Sequence, residues 1–95
     1  MRRVYAAEAI EDLSRLRAFI AEHDPNAAGR VAAELLERLE TLPRFPRMGR
    51  PVAAAPEPET VRDMVFGRYV VRYSVHRETL VILRVWHELE GRGGS

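Results

Sequence analysis

Apolar positions change period near the middle of the chain. Over 6–23, AAEAIEDLSRLRAFIAEH, the residues Ile10, Leu13, Leu16 and Ile20, flanked by Ala9 and Phe19, recur every three or four places, which predicts an amphipathic helix. Glu11 and Arg15 stand one turn apart on its wet face, in the acid-then-base order that favours pairing. HDPNAA breaks this period. The Asp24 carboxylate can accept from the free N–H groups of a first turn, and Pro25 suits the first helical position, where no N–H is needed. A second helix is predicted from there to about Leu42, with Ala28, Val31, Leu35, Leu39 and Leu42 on one stripe and Arg30, Glu34 and Arg38 on another. Pro43 ends it, and so short a link makes the two helices an antiparallel hairpin.

From Pro43 to Glu59, PRFPRMGRPVAAAPEPE carries no period and reads as a loop. Beyond it the period is two. TVRDMVF (60–66) is one strand. RYVVRYSV (68–75) sets Tyr69, Val71, Tyr73 and Val75 on one side and Val70, Arg72 and Ser74 on the other. HRET is a turn. LVILRVWH (80–87) sets Val81, Leu83 and Val85 against Leu80, Ile82, Arg84 and Trp86; apolar on nearly both faces, it belongs in the centre of a sheet. RRVY (2–5) adds a short strand. The predicted order is β-α-α-β-β-β, an α+β fold in which an N-terminal helical hairpin packs on one face of a small antiparallel sheet. The other face carries Arg72 and Arg84 and is expected to stay wet.

Length and composition narrow the function classes. The 95 residues make one domain, predicted over 1–92 with 93–95 as a disordered tail. The apolar runs are far shorter than a crossing helix needs, and acids interrupt the stretch after Arg2 and Arg3, so neither a membrane span nor a secretory signal is expected and a cytoplasmic protein is. There is no Cys, hence no disulfide framework or thiolate metal site. All 15 basic side chains outside histidine are Arg; without Lys, no lysine base or Schiff base is available. The net charge of +1 hides a mild polarity, acidic up to Leu42 and basic after it, well short of a sequence-specific nucleic-acid module. No metal-ligand spacing, phosphate loop or Ser-His-Asp pattern appears, and no cofactor is expected.

The ordered set of A-x-x-D-L at Ala9–Leu13, D-P-N-A-A at 24–28, L-P-R-F-P-R-M-G-R-P-V at 42–52, R-Y-V-V-R-Y at Arg68–Tyr73 and I-L-R-V-W-H at Ile82–His87 resembles the ParE/RelE toxin superfamily of bacterial toxin–antitoxin systems, over nearly the whole chain. The resemblance implies a small toxin neutralised by a cognate, ParD-like antitoxin in a hetero-oligomer. ParE-like members are described as poisoning DNA gyrase; RelE-like members cut mRNA on the ribosome. The ribonucleases of the superfamily resemble one another in an Arg on the middle strand three residues before a Tyr. Here that pattern puts Val70 in the Arg slot, with Tyr73 at the Tyr.

Cutting RNA requires a base, an acid and a cation near the phosphate. The candidates for those roles are Arg72, Arg84 and His87. Each has a plainer reading: His87 beside Glu88 as a hydrogen-bonded strand end, Trp86 as a packing residue, Tyr69 and Tyr73 as core fillers, and Arg44, Arg47 and Arg50 as a solvated loop. The expected partner-binding surfaces are two. Leu13, Leu16 and Ile20 line a groove of the hairpin for an antitoxin helix that folds on binding. Trp86, His87 and Arg92 border the open sheet face, with Arg72 and Arg84 across it, as a recognition surface. The favoured function is a gyrase-binding toxin. A ribosome-dependent endoribonuclease and an inert antitoxin-binding homologue are the alternatives.

Overall fold

The computed structural model describes residues 1–57 and 60–90. The elements are β1 (Arg2–Tyr5), α1 (Ala7–His23), α2 (Ala28–Thr41), a 3-10 turn (Leu42–Arg44), β2 (Arg50–Pro51), β3 (Val61–Phe66), β4 (Tyr69–Val75), β5 (Thr79–His87) and a closing 3-10 turn (Glu88–Glu90). They form one sheet in the order β1-β5-β4-β3-β2 beneath two helices. The expected α+β architecture and the β3–β4–β5 antiparallel meander are both there. The sheet is larger than expected, and mixed rather than wholly antiparallel. β1 runs parallel to β5, because the helical crossover returns the chain to the same end of the sheet. Arg50–Pro51 adds a two-residue edge strand inside what reads as a loop.

Local chemistry explains the turns. β3 and β4 join through Gly67–Arg68 between the paired Phe66 and Tyr69, and Gly67 holds φ +58°, which a two-residue hairpin requires at its first position. The link between the helices differs from the expectation: α2 begins at Ala28 rather than Pro25. Asp24 accepts from the Ala27 N–H through its side chain at 3.2 Å and through its carbonyl at 3.1 Å, so it closes a turn ahead of the helix instead of capping the helix itself.

The core lies between the helices and one face of the sheet. Ala9 and Leu16 from α1 and Leu35 and Leu39 from α2 meet Met64, Val71, Tyr73, Leu80, Ile82 and Val85, with Leu42 closing one end. The buried stripe of α1 is Ala9, Asp12, Leu16 and Ile20. Ile10, expected inside, is 58% exposed, and Asp12 takes the inward place. Arg15 also turns toward the sheet, away from Glu11. On α2, Arg30 pairs with Glu34 at 3.7 Å, while the Arg38 guanidinium lies 4.9 Å from the Phe66 ring centroid.

β5 contains a bulge. Arg72 is opposite Arg84 but Tyr73 is opposite Ile82, so Leu83 is an extra residue. The faces therefore change parity: Leu80 and Ile82 point to the core before the bulge, and Val85 does so after it. The sequence alternation, which put Leu80, Ile82, Arg84 and Trp86 on one face, fails at this point.

Candidate functional site

The register places a row of charge across the face of the sheet away from the helices. Arg50 on β2 is opposite Asp63 on β3, Asp63 opposite Arg72 on β4, and Arg72 opposite Arg84 on β5. The next row on this face is apolar, running Val65, Val70, Trp86. Arg72 is held by two hydrogen bonds to Asp63, at 2.8 and 3.0 Å, and its guanidinium lies 5.2 Å from the Trp86 ring centroid. A bidentate carboxylate fixes that guanidinium in orientation and neutralises it. Trp86 is 6% exposed, as its packing reading expected.

Arg84 reaches over the edge of β5 to Asp12, donating from Nε at 2.7 Å and Nη2 at 3.0 Å. The reason lies in the strand edge. β1 ends opposite Ile82, and among the described residues no strand pairs with the outer edge of β5 from Leu83 onward. Side chains take over the ladder there. The Val85 N–H donates to Asp12 at 2.9 Å, the Val85 carbonyl accepts from Arg15 at 3.1 Å, and the His87 N–H donates to Glu90 at 3.0 Å. Arg15 ties the two carboxylates together, donating to Asp12 at 2.5 Å and to Glu90 at 2.6 Å. Burial opposes ionisation of Asp12, but the hydrogen bonds from Arg84, Arg15 and Val85 outweigh it and hold the pKa down at about 2.

His87 is on the other face. It is 8% exposed, with the Phe19 ring at 5.2 Å and Tyr69 edge-on at 4.9 Å. Adjacent residues of a strand point oppositely, so His87 cannot share the open face with Trp86, and the expected surface loses it. Its Nδ1 accepts the Leu89 N–H at 3.0 Å, which leaves the proton of the neutral ring on Nε2. Burial, reinforced by the charge of Arg68, pushes its pKa below the ordinary histidine value.

Tyr73 is fully buried on the same helix-covered side. Its hydroxyl donates to the Pro46 carbonyl at 2.8 Å and accepts the Gly49 N–H at 2.8 Å, and burial raises its pKa. The phenol is thus the anchor of the 46–49 loop.

The expected groove is present between α1 and α2. It encloses about 800 Å³, with Leu13, Leu16 and Ile20 facing Ala32, Leu35 and Leu36 across it. Leu16 and Ile20 are its buried floor, while Leu36, 49% exposed, stands on its rim. The expected sites thus separate into three places: Leu13, Leu16 and Ile20 in the groove; Arg72, Arg84 and Trp86 on the open face; and His87 under the helices. Arg92 lies outside the described residues. Asp12, Asp63 and Glu90 were not singled out from the sequence, although an acid on the apolar stripe of α1 was a usable signal for Asp12. Among the described residues there is no cluster able to hold a metal ion, and no helix long and apolar enough to cross a membrane.

Comparison with known proteins gives a consistent answer. The family model described as the ParE toxin of the type II toxin–antitoxin system parDE matches residues 4–90. Toxin RelE1 of Caulobacter vibrioides is 34% identical over 91 residues, covering 92% of each chain, and Toxin RelE2 of the same organism is 33% identical over 85 residues, covering 88% of this chain and 91% of that one. Among solved structures, a chain from the chromosomal ParDE system of P. aeruginosa superposes with a TM-score of 0.76 at 18% identity, covering 92% of this chain and 95% of that one. A chain of the Mycobacterium tuberculosis toxin–antitoxin complex RelBE2 superposes at 0.66 with 28% identity, over 90% and 88% respectively.

Proposed function

The chain belongs to the ParE toxin family of type II toxin–antitoxin systems, and from that premise we propose that it arrests growth by binding DNA gyrase and is neutralised by a cognate antitoxin. One observation carries the choice of binding over cutting: the groups an RNA-cutting site would need are engaged elsewhere. Asp63 holds Arg72 and Asp12 holds Arg84, each by two hydrogen bonds. The Tyr73 hydroxyl is spent on the loop, and His87 sits on the opposite face with Nδ1 already accepting. Val70, in the slot where the ribonucleases resemble one another in carrying Arg, lies in an apolar row with Val65 and Trp86. A phosphate arriving over Arg72 or Arg84 would have to break an ion pair to reach either guanidinium.

The apolar groove supports the antitoxin half of the reading. An amphipathic helix of a segment that is disordered when free can lay aliphatic side chains against Leu13, Leu16 and Ile20 and set carboxylates toward Arg17 at its rim. The test is direct. Purified chain added to gyrase slows supercoiling of relaxed plasmid, and stoichiometric antitoxin restores it, while message on programmed ribosomes stays intact. Cleaved message, or undisturbed supercoiling at large toxin excess, overturns the reading.

A further inference from the structure

The loop at the far edge of the sheet from α1 is exposed yet fixed. Tyr73 grips it at Pro46 and Gly49, and Arg62, itself 7% exposed, donates to the Gly49 carbonyl at 2.7 Å. Gly49 lies so close beneath that a Cβ there would sit 2.7 Å from the Asp63 carbonyl oxygen and 2.8 Å from the Tyr73 hydroxyl. This pinned segment presents large apolar side chains to solvent: Phe45 is 57% exposed and Met48 44%, beside Val65 at 50%. Two shallow depressions meet at Met48, one of about 600 Å³ that reaches Val65 and one of about 500 Å³ that reaches Phe45. Arg38, Arg47 and Arg50 line them. Arg47 and Arg50 form no ion pair among the described residues. The one carboxylate in the lining, Asp63, is committed to Arg72.

We propose that Phe45, Met48 and Val65, rimmed by Arg38, Arg47 and Arg50, form a second protein-docking surface, separate from the helical groove, for an acidic segment that presents apolar side chains between carboxylates. The rim supplies unpaired positive charge, and the centre supplies desolvatable apolar area. Arg and aromatic anchors of this kind dominate interface energies. The loop is already ordered from below, so docking costs little conformational entropy. Nucleic acid fits less well. Met48 and Val65 give a phosphate backbone nothing to bind, a lone Phe is a sparse stacking platform, and the whole chain carries only +1.

The test uses the full chain and fluorescence anisotropy with three labelled probes: a synthetic peptide of Glu-Leu-Glu-Phe repeats, the same peptide with Lys for Glu, and oligouridylate. The acidic peptide is expected to bind most tightly. Phe45→Ser with Met48→Ser, and separately Arg47→Glu with Arg50→Glu, each weaken it by about tenfold or more, whereas Leu36→Glu in the groove leaves it unchanged. All three variants alter exposed side chains, and circular dichroism melts check that each is folded. Equal affinity in both loop variants, loss confined to the groove variant, preference for oligouridylate, or no peptide binding overturns the proposal. Because the assay contains no gyrase, its failure is distinct from failure of the gyrase reading.

Discussion

At the scale of single residues, Asp12 shows how a buried charge is made tolerable. It is 1% exposed, and four hydrogen bonds converge on it, three from the Arg15 and Arg84 guanidinium groups and one from a strand N–H. Removing the carboxylate strands those donors, so Asp12→Ala is expected to lower unfolding stability in urea by about 3 kcal/mol or more. Arg84→Ala takes two of the four hydrogen bonds from that buried carboxylate while Arg15 and the Val85 N–H keep theirs, and should cost about 1–3 kcal/mol. The pH response follows from two depressed groups. The folded-state pKa of Asp12, about 2 against an ordinary 3.8, makes its contribution whole above the ordinary value and lost as pH falls through about 2. His87 is depressed below 6.5, so the unfolded chain takes up its proton first and stability declines as pH drops below that value. Thermal melts across pH should show both limbs, with Asp12→Asn flattening the lower and His87→Asn the upper. Little of this was legible beforehand. An acid within a helix reads as solvated, and only its place on the Ala9–Leu16–Ile20 stripe marks Asp12 as inward. Ile10, by contrast, looked like core and faces water.

At the scale of elements, alternation located β3, β4 and β5 to within a residue, because half-buried strands write their two faces into the sequence. Three features escaped it for separate reasons. The parallel seat of β1 is set by where a crossover lands, which four residues cannot announce. β2 is two residues long and contains Pro51, a residue tolerated there because it lies on the sheet edge. The bulge at Leu83 shifts parity without any Gly or Pro to mark it, so alternation groups Leu80 and Ile82 with Arg84 and Trp86 although the first two face the core. The stretch after α2 reads as a loop, and its 46–49 segment is bolted to the core. Tyr73→Phe removes both of its hydroxyl bonds and should cost about 1–3 kcal/mol. Hydrogen exchange at Gly49 should rise accordingly, the Met48 N–H remaining protected by its own bond to the Phe45 carbonyl at 2.9 Å. Gly49→Ala should be at least as damaging, since its methyl group meets backbone at 2.7 Å; a melt unchanged from wild type would mean the loop is not anchored this way.

For the molecule as a whole, the fold sets its candidate surfaces in different places. The groove lies between the helices, the arginine row crosses the opposite face of the sheet, and the pinned loop occupies the edge far from α1. Leu36→Glu puts a carboxylate on the groove rim without touching the core, so it should abolish antitoxin binding by calorimetry, to beyond about a hundredfold weaker, while leaving the melting temperature unchanged. The class of fold and the groove residues were readable because they depend on repeated patterns. The division of the candidate residues among faces was not, because it depends on one unmarked bulge and on which acid meets which arginine. The same arrangement sets a limit on how the protein can be handled. From Leu83 onward the margin of β5 is sealed by carboxylates where a neighbouring strand would otherwise lie. Acidification that protonates Asp12 loosens its hold on the Val85 amide, and one molecule can then zip onto another. Elution from an affinity column with strong acid should therefore yield ribbon-like aggregates that bind thioflavin, and the neutral preparation should not.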